Sequence, residues 1–287
     1  MEASLITNVL LPVALALIMF GLGLSLTVED FRRVVVYPRA VAVGLVMQMA
    51  VLTVVAFAIA VLFGLPPELA VGLMLLAAAP GGPTANIFSH LARGDVALNI
   101  TLTAVNSLLS LVTLPLVLGW SLSYFLGSDQ YVPPPVAKVA EVAAIIAVPV
   151  VIGMMVRARS AAFAERMEKP IRLFSVIVLA VLIAGAIAQQ WRILGDAFAA
   201  VGLACLVFNL VSMATGYGAA RAASLPDRQA VAISMEIGIH NGTLAIFIAL
   251  NVLQSPAMSI APAIYSLIMF VTAGLFVLAL SRRAAAA

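Results

Sequence analysis

Glu236, His240 and Asn241 fall within six residues in the stretch MEIGIHNGT, residues 235–243, inside a long apolar run. A carboxylate, an imidazole and an amide at that spacing could bind a cation, relay a proton or hydrogen-bond an anion. Glu236 lies eight residues past Arg228, about 12 Å along a helix at about 1.5 Å per residue. That depth puts a carboxylate where it costs several kcal/mol unless it is paired or solvated. No Lys or Arg stands at matching depth, so the counter-charge is a proton, a bound cation or water. The plainer reading is a protonated Glu hydrogen-bonded to a neighbouring helix.

A hard cation such as Na⁺ takes oxygen ligands. The sequence offers Asn86, Gln48, Glu236 and the pair Asn99 and Thr103, which share a helix face at i and i+4. Backbone carbonyls at Ile237 and Ile239 add to these if the chain unwinds there. Thr103 alone would be unremarkable, because membrane threonines often bond the carbonyl four residues back. His240 could ligate through a neutral nitrogen, donate to Glu236 or be satisfied by a carbonyl. The spacing is not H-E-x-x-H, and the other histidine, His90, lies near a span end, so no transition-metal site is expected.

Such residues need a scaffold that exposes backbone at membrane depth. The chain of 287 residues is 64% apolar and 9% charged, with mean hydropathy +1.18. A soluble domain carries about 25% charged residues, so an all-α polytopic membrane protein is expected, with no room for a soluble domain and no nucleic-acid partner. The single cysteine, Cys205, excludes an internal disulfide. The N-terminal run reads as a first spanning helix and not a cleaved signal. Apolar length gives nine spans: 5–26, 38–63, 68–92, 97–124, 136–156, 172–189, 196–220, 229–253 and 258–281. Charged or turn-rich stretches, among them TVEDFRR and RARSAAFAERMEKP, are expected to be the loops between them. With the N-terminus outside and the C-terminus in the cytoplasm, 13 of the 15 Lys and Arg fall inside, leaving Lys138 and Arg192 outside.

Two spans are interrupted. Pro80, Gly81, Gly82 and Pro83 break the third, and Gly238 and Gly242 bracket the polar cluster in the eighth. Each interrupted span follows one carrying a central amide, Gln48 or Asn209. Residues 38–124 and 196–281 therefore look like two copies of a three-helix unit, inverted relative to each other, with a site near the midplane. A single kink would be ordinary in a membrane helix; two at matched places, each loaded with polar side chains, are not. The half-helix N-termini there favour anions, with Pro83, Thr84, Asn241 and Asn209 on the substrate side.

The motifs LIMFGLGLSLTVEDF, APGGPTANIFSHLARGDVALNITLTAVNSLLSLVTLPL and EIGIHNG resemble those of the bile acid:sodium symporter family, over almost the whole chain. The resemblance implies a panel domain and a core domain in which two broken helices cross. The divisions would be 1–37 for panel helix 1, 38–126 for the first core repeat, 127–192 for panel helices 5 and 6, and 193–287 for the second core repeat. It further implies one sodium ion at Ala85, Asn86, Asn99, Thr103 and Glu236. A second would lie at Gln48, Glu236, Ile237, Ile239 and His240, with Asn241 near the substrate. Three departures matter: Ala85 replaces a serine hydroxyl, Asn99 replaces a serine but keeps an oxygen, and His240 replaces a glutamine. One or two sodium ions, or a sodium ion and a proton, are all compatible with this ligand set.

The expected function is secondary active, sodium-coupled symport of an organic anion by alternating access. The anion would be bile-acid-like or a small carboxylate such as pantoate. Glycines such as Gly21 and Gly23 suit a close moving interface or ordinary packing. The alternative is a proton-coupled anion transporter or antiporter using Glu236 and His240. An enzyme is not expected, since no nucleophile pairing or metal motif is present. A sensor would need an output domain. The lipid bilayer of a cell (inner) membrane is the expected partner besides the anion, with no obligatory protein partner.

Overall fold

The fold follows from a computed structural model, which describes residues 11–127, 136–189 and 191–286. Every regular element among them is helical. The helices are α1 (Leu11–Ser25), α2 (Val28–Arg32), α3 (Pro38–Leu62), α4 (Pro67–Ala78), α5 (Pro83–Leu91) and α6 (Val96–Leu126). They continue with α7 (Val136–Arg159), α8 (Ala161–Gln189), α9 (Trp191–Ala222), α10 (Asp227–Gly238), α11 (Gly242–Val252) and α12 (Ile260–Ala286). Among the described residues four helical stretches are long and apolar enough to cross a bilayer: Pro38–Leu62, Val96–Leu126, Val201–Ala222 and Ala257–Leu280. Pro12–Ser25 with Val28–Val35 passes as a fifth, bent by 71°. The chain is thus a polytopic, integral membrane protein. The expected first span starts at residue 5, and its residues 5–10 lie outside the described set.

Two stretches expected as loops are helical. Thr27 accepts from the Asp30 N–H while Asp30 reaches back to the Thr27 N–H, a reciprocal cap that starts α2 in the middle of TVEDFRR. Asp30 also pairs with Arg33 and is buried, so it is an acid at a span end that is nonetheless covered. The stretch RARSAAFAERMEKP is helical on both sides of Ser160, and α8 runs from Ala161 straight into the apolar span. Its Ala, Glu, Arg, Met and Lys are strong helix formers, which outweighs the charge that marked it as a loop.

α3, α4, α6, α9, α10 and α12 pack about one another, and α1 lies along α7 and α8. In lipid there is no hydrophobic drive between helices, so close packing of small residues decides which surfaces meet. A Cβ on Gly23 would overlap the Val150 carbonyl of α7, and a Cβ on Gly153 would overlap the backbone of α1 at Phe20. Arg157 donates to the Leu24 carbonyl at 3.2 Å, covering the open end of α1. Gly21 faces Ile171 of α8. Both α1 glycines therefore serve contacts with α7 and α8 rather than with the helices that carry Glu236.

The turns before α4 and α10 share one geometry at an offset of 160 residues. Leu65 N–H donates to the Ala60 carbonyl and Leu225 N–H to the Ala220 carbonyl, each at 3.0 Å. Gly64 and Ser224 both stand at φ +57, and a proline, Pro66 or Pro226, caps the helix that follows. The same offset relates Asp95 and Ser255, whose side chains accept from Leu98 N–H at 3.1 Å and Met258 N–H at 3.4 Å. A leucine before proline is pushed out of the helical region, so the dipeptide fixes both reversals despite little other identity.

Candidate functional site

α4 ends at Ala78 and α5 begins at Pro83; α10 ends at Gly238 and α11 begins at Gly242. The two extended links cross. Gly81 and His240 form an isolated antiparallel bridge, and Asn241 N–H donates to the Pro80 carbonyl at 2.8 Å. Unwound backbone is tolerated at depth only when covered, and here each link satisfies part of the other. Asn241 also caps α11, its Oδ1 accepting from Leu244 N–H at 3.0 Å.

Glu236 sits on the last turn of α10, fully buried. The Thr103 hydroxyl lies 2.6 Å from its Oε2, and Asn106 donates to its Oε1 at 3.1 Å. The Gly81 backbone comes so close that a Cβ there would overlap the carboxylate. Among the described residues the ion pairs are Arg32 with Glu29 and Arg33 with Asp30; no cationic side chain reaches Glu236.

The amides around it follow one pattern. Gln48 donates to the Ala77 and Ala79 carbonyls at 3.1 and 3.2 Å. Asn99 donates to the Ala232 carbonyl at 2.8 Å. Each amide faces partners that only accept, so each must turn its NH₂ toward them. The oxygens are left over. Among the described residues, buried atoms without a hydrogen-bond partner include Gln48 Oε1, Asn86 Oδ1, Asn99 Oδ1, Asn106 Oδ1 and His240 Nε2. Buried polar groups are normally paired, and surplus oxygen lone pairs around a carboxylate are what a hard cation needs.

His240 is buried, and its Nδ1 lies 3.1 Å from the Ala79 carbonyl. A carbonyl accepts only, so Nδ1 carries the proton and a neutral ring presents Nε2 as a lone pair. The ring stacks on Phe208 at 5.9 Å. Glu236 and His240 make no hydrogen bond, because the link beyond Gly238 is unwound and the shared helix face is lost. The carbonyls of Ile237 and Ile239 flank that unwinding, both residues being fully buried.

The structure brings Gln48, Asn99, Thr103, Glu236 and His240 to the crossing, with Asn86 one turn into α5. Pro83 is the first residue of α5, and Thr84 beside it is half-buried. Asn209 meets the second link where α10 ends. It is fully buried, and its amide donates to the Gly238 carbonyl at 2.8 Å and to Tyr265 Oη at 3.0 Å. Tyr265 Oη donates to the same carbonyl at 2.9 Å. Asn209 thus braces the end of α10 through its NH₂, while its Oδ1 is buried without a hydrogen-bond partner, as in the other amides. Ala85 is fully buried and brings no hydroxyl. Asn106 was missed from sequence; it continues the Asn99–Thr103 face by three residues, and extending that face would have found it. Among the described residues no group of three His, Cys, Asp or Glu could hold a transition metal.

The sodium bile acid symporter family model matches residues 12–196. The chain is 27% identical over 89% of its length to the probable sodium/metabolite cotransporter BASS2, chloroplastic, of Oryza sativa subsp. japonica, and spans 60% of that protein. It is 26% identical over 89% of its length to the uncharacterized sodium-dependent transporter YocS of Bacillus subtilis, spanning 78% of it. It is also 26% identical over 84% of its length to the ileal sodium/bile acid cotransporter of Oryctolagus cuniculus, spanning 69%. Interrupted helices that cross beside a buried carboxylate are an arrangement used by secondary transporters. The chain belongs to the sodium bile acid symporter family, a family of transporters and not of enzymes.

Proposed function

We propose that the chain is a sodium-coupled symporter of an organic anion that works by alternating access. The observation that carries this reading is Glu236: a buried carboxylate with no cationic partner among the described residues, at the crossing of two interrupted helices whose neighbouring amides keep buried oxygens without donors. Asn86, Asn99, Thr103 and Glu236 would hold one sodium ion. Gln48 Oε1, Glu236, the Ile237 and Ile239 carbonyls and His240 Nε2 would hold a second. Sodium binding would neutralise the carboxylate and tie the two links together. That would favour an anion at Pro83, Thr84 and Asn241, beside the starts of α5 and α11. The anion is bile-acid-like or a small carboxylate such as pantoate.

The matched turns at residues 64–66 and 224–226 support two inverted repeats, 38–126 and 193–287, as a nine-span protein's core. The packing of α1 on α7 and α8 supports a panel made of 1–37 and 127–192. Motion of core against panel would expose the crossing to either side in turn, with the N-terminus outside and the C-terminus cytoplasmic.

Uptake of organic anions into proteoliposomes, with sodium and proton gradients imposed separately, tests this reading. Uptake driven by sodium is expected. Uptake driven by a pH gradient with no sodium present would favour the proton-coupled alternative instead. The unpaired Nε2 of His240, where the family resemblance expects a glutamine, is the observation behind that alternative.

A further inference from the structure

Beside the crossing, between α3 and α6, lies a narrow recess with a free volume of about 10 Å³. Its polar lining is Gln48, Thr53, Asn106, Ser110 and Thr113, with Pro80 of the first link at its wall. That is room for about one water or a bare small cation, far below the roughly 300–1,000 Å³ of pockets that enclose small organic ligands, and no charged side chain lines it. Its polar atoms present acceptors. Ser110 Oγ donates to the Ser107 carbonyl at 2.8 Å, Thr53 Oγ1 to the Met49 carbonyl at 2.8 Å, and Thr113 Oγ1 to the Leu109 carbonyl at 3.3 Å. Each hydroxyl spends its proton on its own helix and keeps its lone pairs. Gln48 Oε1 and Asn106 Oδ1 are buried without partners, on side chains only 3% and 1% exposed.

Thr103, Asn106, Ser110 and Thr113 recur at intervals of three and four residues, so they form one stripe along α6. At one end the stripe meets Glu236, through the Thr103 hydroxyl and the Asn106 amide. The other end runs toward the C-terminal end of α6. Gln48 stands opposite, in a π-helical turn, Met47–Val51, a distortion frequent at functional sites. A row of oxygens with spare lone pairs, ending at a carboxylate, replaces the water shell of a small cation step by step. It offers an anion nothing.

We propose that this recess is a sodium access lane, separate from the anion site, leading a cation along α6 to Glu236. The assignment rests on the sodium-coupled reading, and its test separates the two. Ser110→Cys and Thr113→Cys are placed in a Cys205→Ala background, so each protein carries one thiol. Reconstituted protein is exposed to Ag⁺, a monovalent cation small enough for the lane. Ag⁺ replaces the thiol proton to form an Ag–S bond, and unreacted thiol is titrated after denaturation. Both thiols are expected to react from the side of the α6 C-terminus in potassium medium. Saturating sodium should slow the reaction about tenfold by occupying the lane, and an organic anion without sodium should leave the rate unchanged. Thiols unreactive from both sides, reactive but indifferent to sodium, or protected by the anion alone would each overturn the lane.

Ser110→Leu, which narrows the recess, gives a second readout. The sodium concentration for half-maximal uptake should rise several-fold, while the sodium-induced thermal shift keeps its midpoint. A shift in that midpoint would make Ser110 a ligand rather than a part of the path, and no change in uptake would remove it from the path. A parent protein without sodium-driven uptake sinks the symporter reading alone, because competition between Na⁺ and Ag⁺ reports the lane without transport.

Discussion

The Glu236 carboxylate lies against Gly81 so closely that no side chain fits between them. One residue is on the last turn of α10 and the other in the link between α4 and α5, so the contact ties the two interruptions at the point of charge. Gly81→Ala should push carboxylate and link apart. Overpacking of this kind costs about 1–3 kcal/mol. Sodium-driven uptake is expected to fall about tenfold or more, with the protein still eluting as a folded particle in detergent. Wild-type sodium dependence in this variant would mean that the link yields freely.

Glu236→Gln keeps the shape and the bonds to Thr103 and Asn106 in part but removes the charge. Sodium stimulation of uptake should be abolished, and the sodium-induced rise in melting temperature should vanish with it. Retained sodium stimulation would end the role of Glu236 as a shared ligand.

His240→Gln replaces a nitrogen lone pair with an amide oxygen, a better ligand for a hard cation. The sodium dependence of uptake is expected to steepen, read as a higher Hill coefficient. An unchanged coefficient would exclude His240 from the ion-binding set.

Tyr265→Phe removes one of the two donors on the Gly238 carbonyl and leaves Asn209 as the other. Loss of a buried hydrogen bond costs about 1–3 kcal/mol, so the melting temperature should drop while the sodium concentration for half-maximal uptake stays put. A change in sodium affinity without loss of stability would place this pair in the ion site.

The proposed orientation puts Arg32 and Arg166 on the cytoplasmic side. Cysteines at these positions should resist a membrane-impermeant maleimide in intact cells and react after permeabilisation. Labelling from outside would reverse the topology.

Much of the site was legible because depth in an apolar run is a physical cost. Glu236 could be singled out by counting residues from Arg228, and the prolines and glycines at 80–83 announced the first interruption. The second was harder, since Gly238 and Gly242 are tolerated in membrane helices, and the polar residues between them settled it. Asn106 escaped because a lone amide in an apolar span carries no signal until its helix face is followed. Asn209 stood out by its central position, but position does not reveal that its NH₂ bonds Gly238 and Tyr265 while its oxygen is left over. The helix through residues 161–172 was hidden by charge, which marks a membrane boundary and not the end of a helix.

Gly23 and Gly153 let α1 and α7 meet main chain to main chain. Helices joined by side chains can slip past one another by rotamer changes; these two have no such play. The pair behaves as a single stiff board, keyed at one point like a mortise joint. On the proposed alternating-access reading, α1 and α7 would travel or stay put together, as one unit against which the crossing opens.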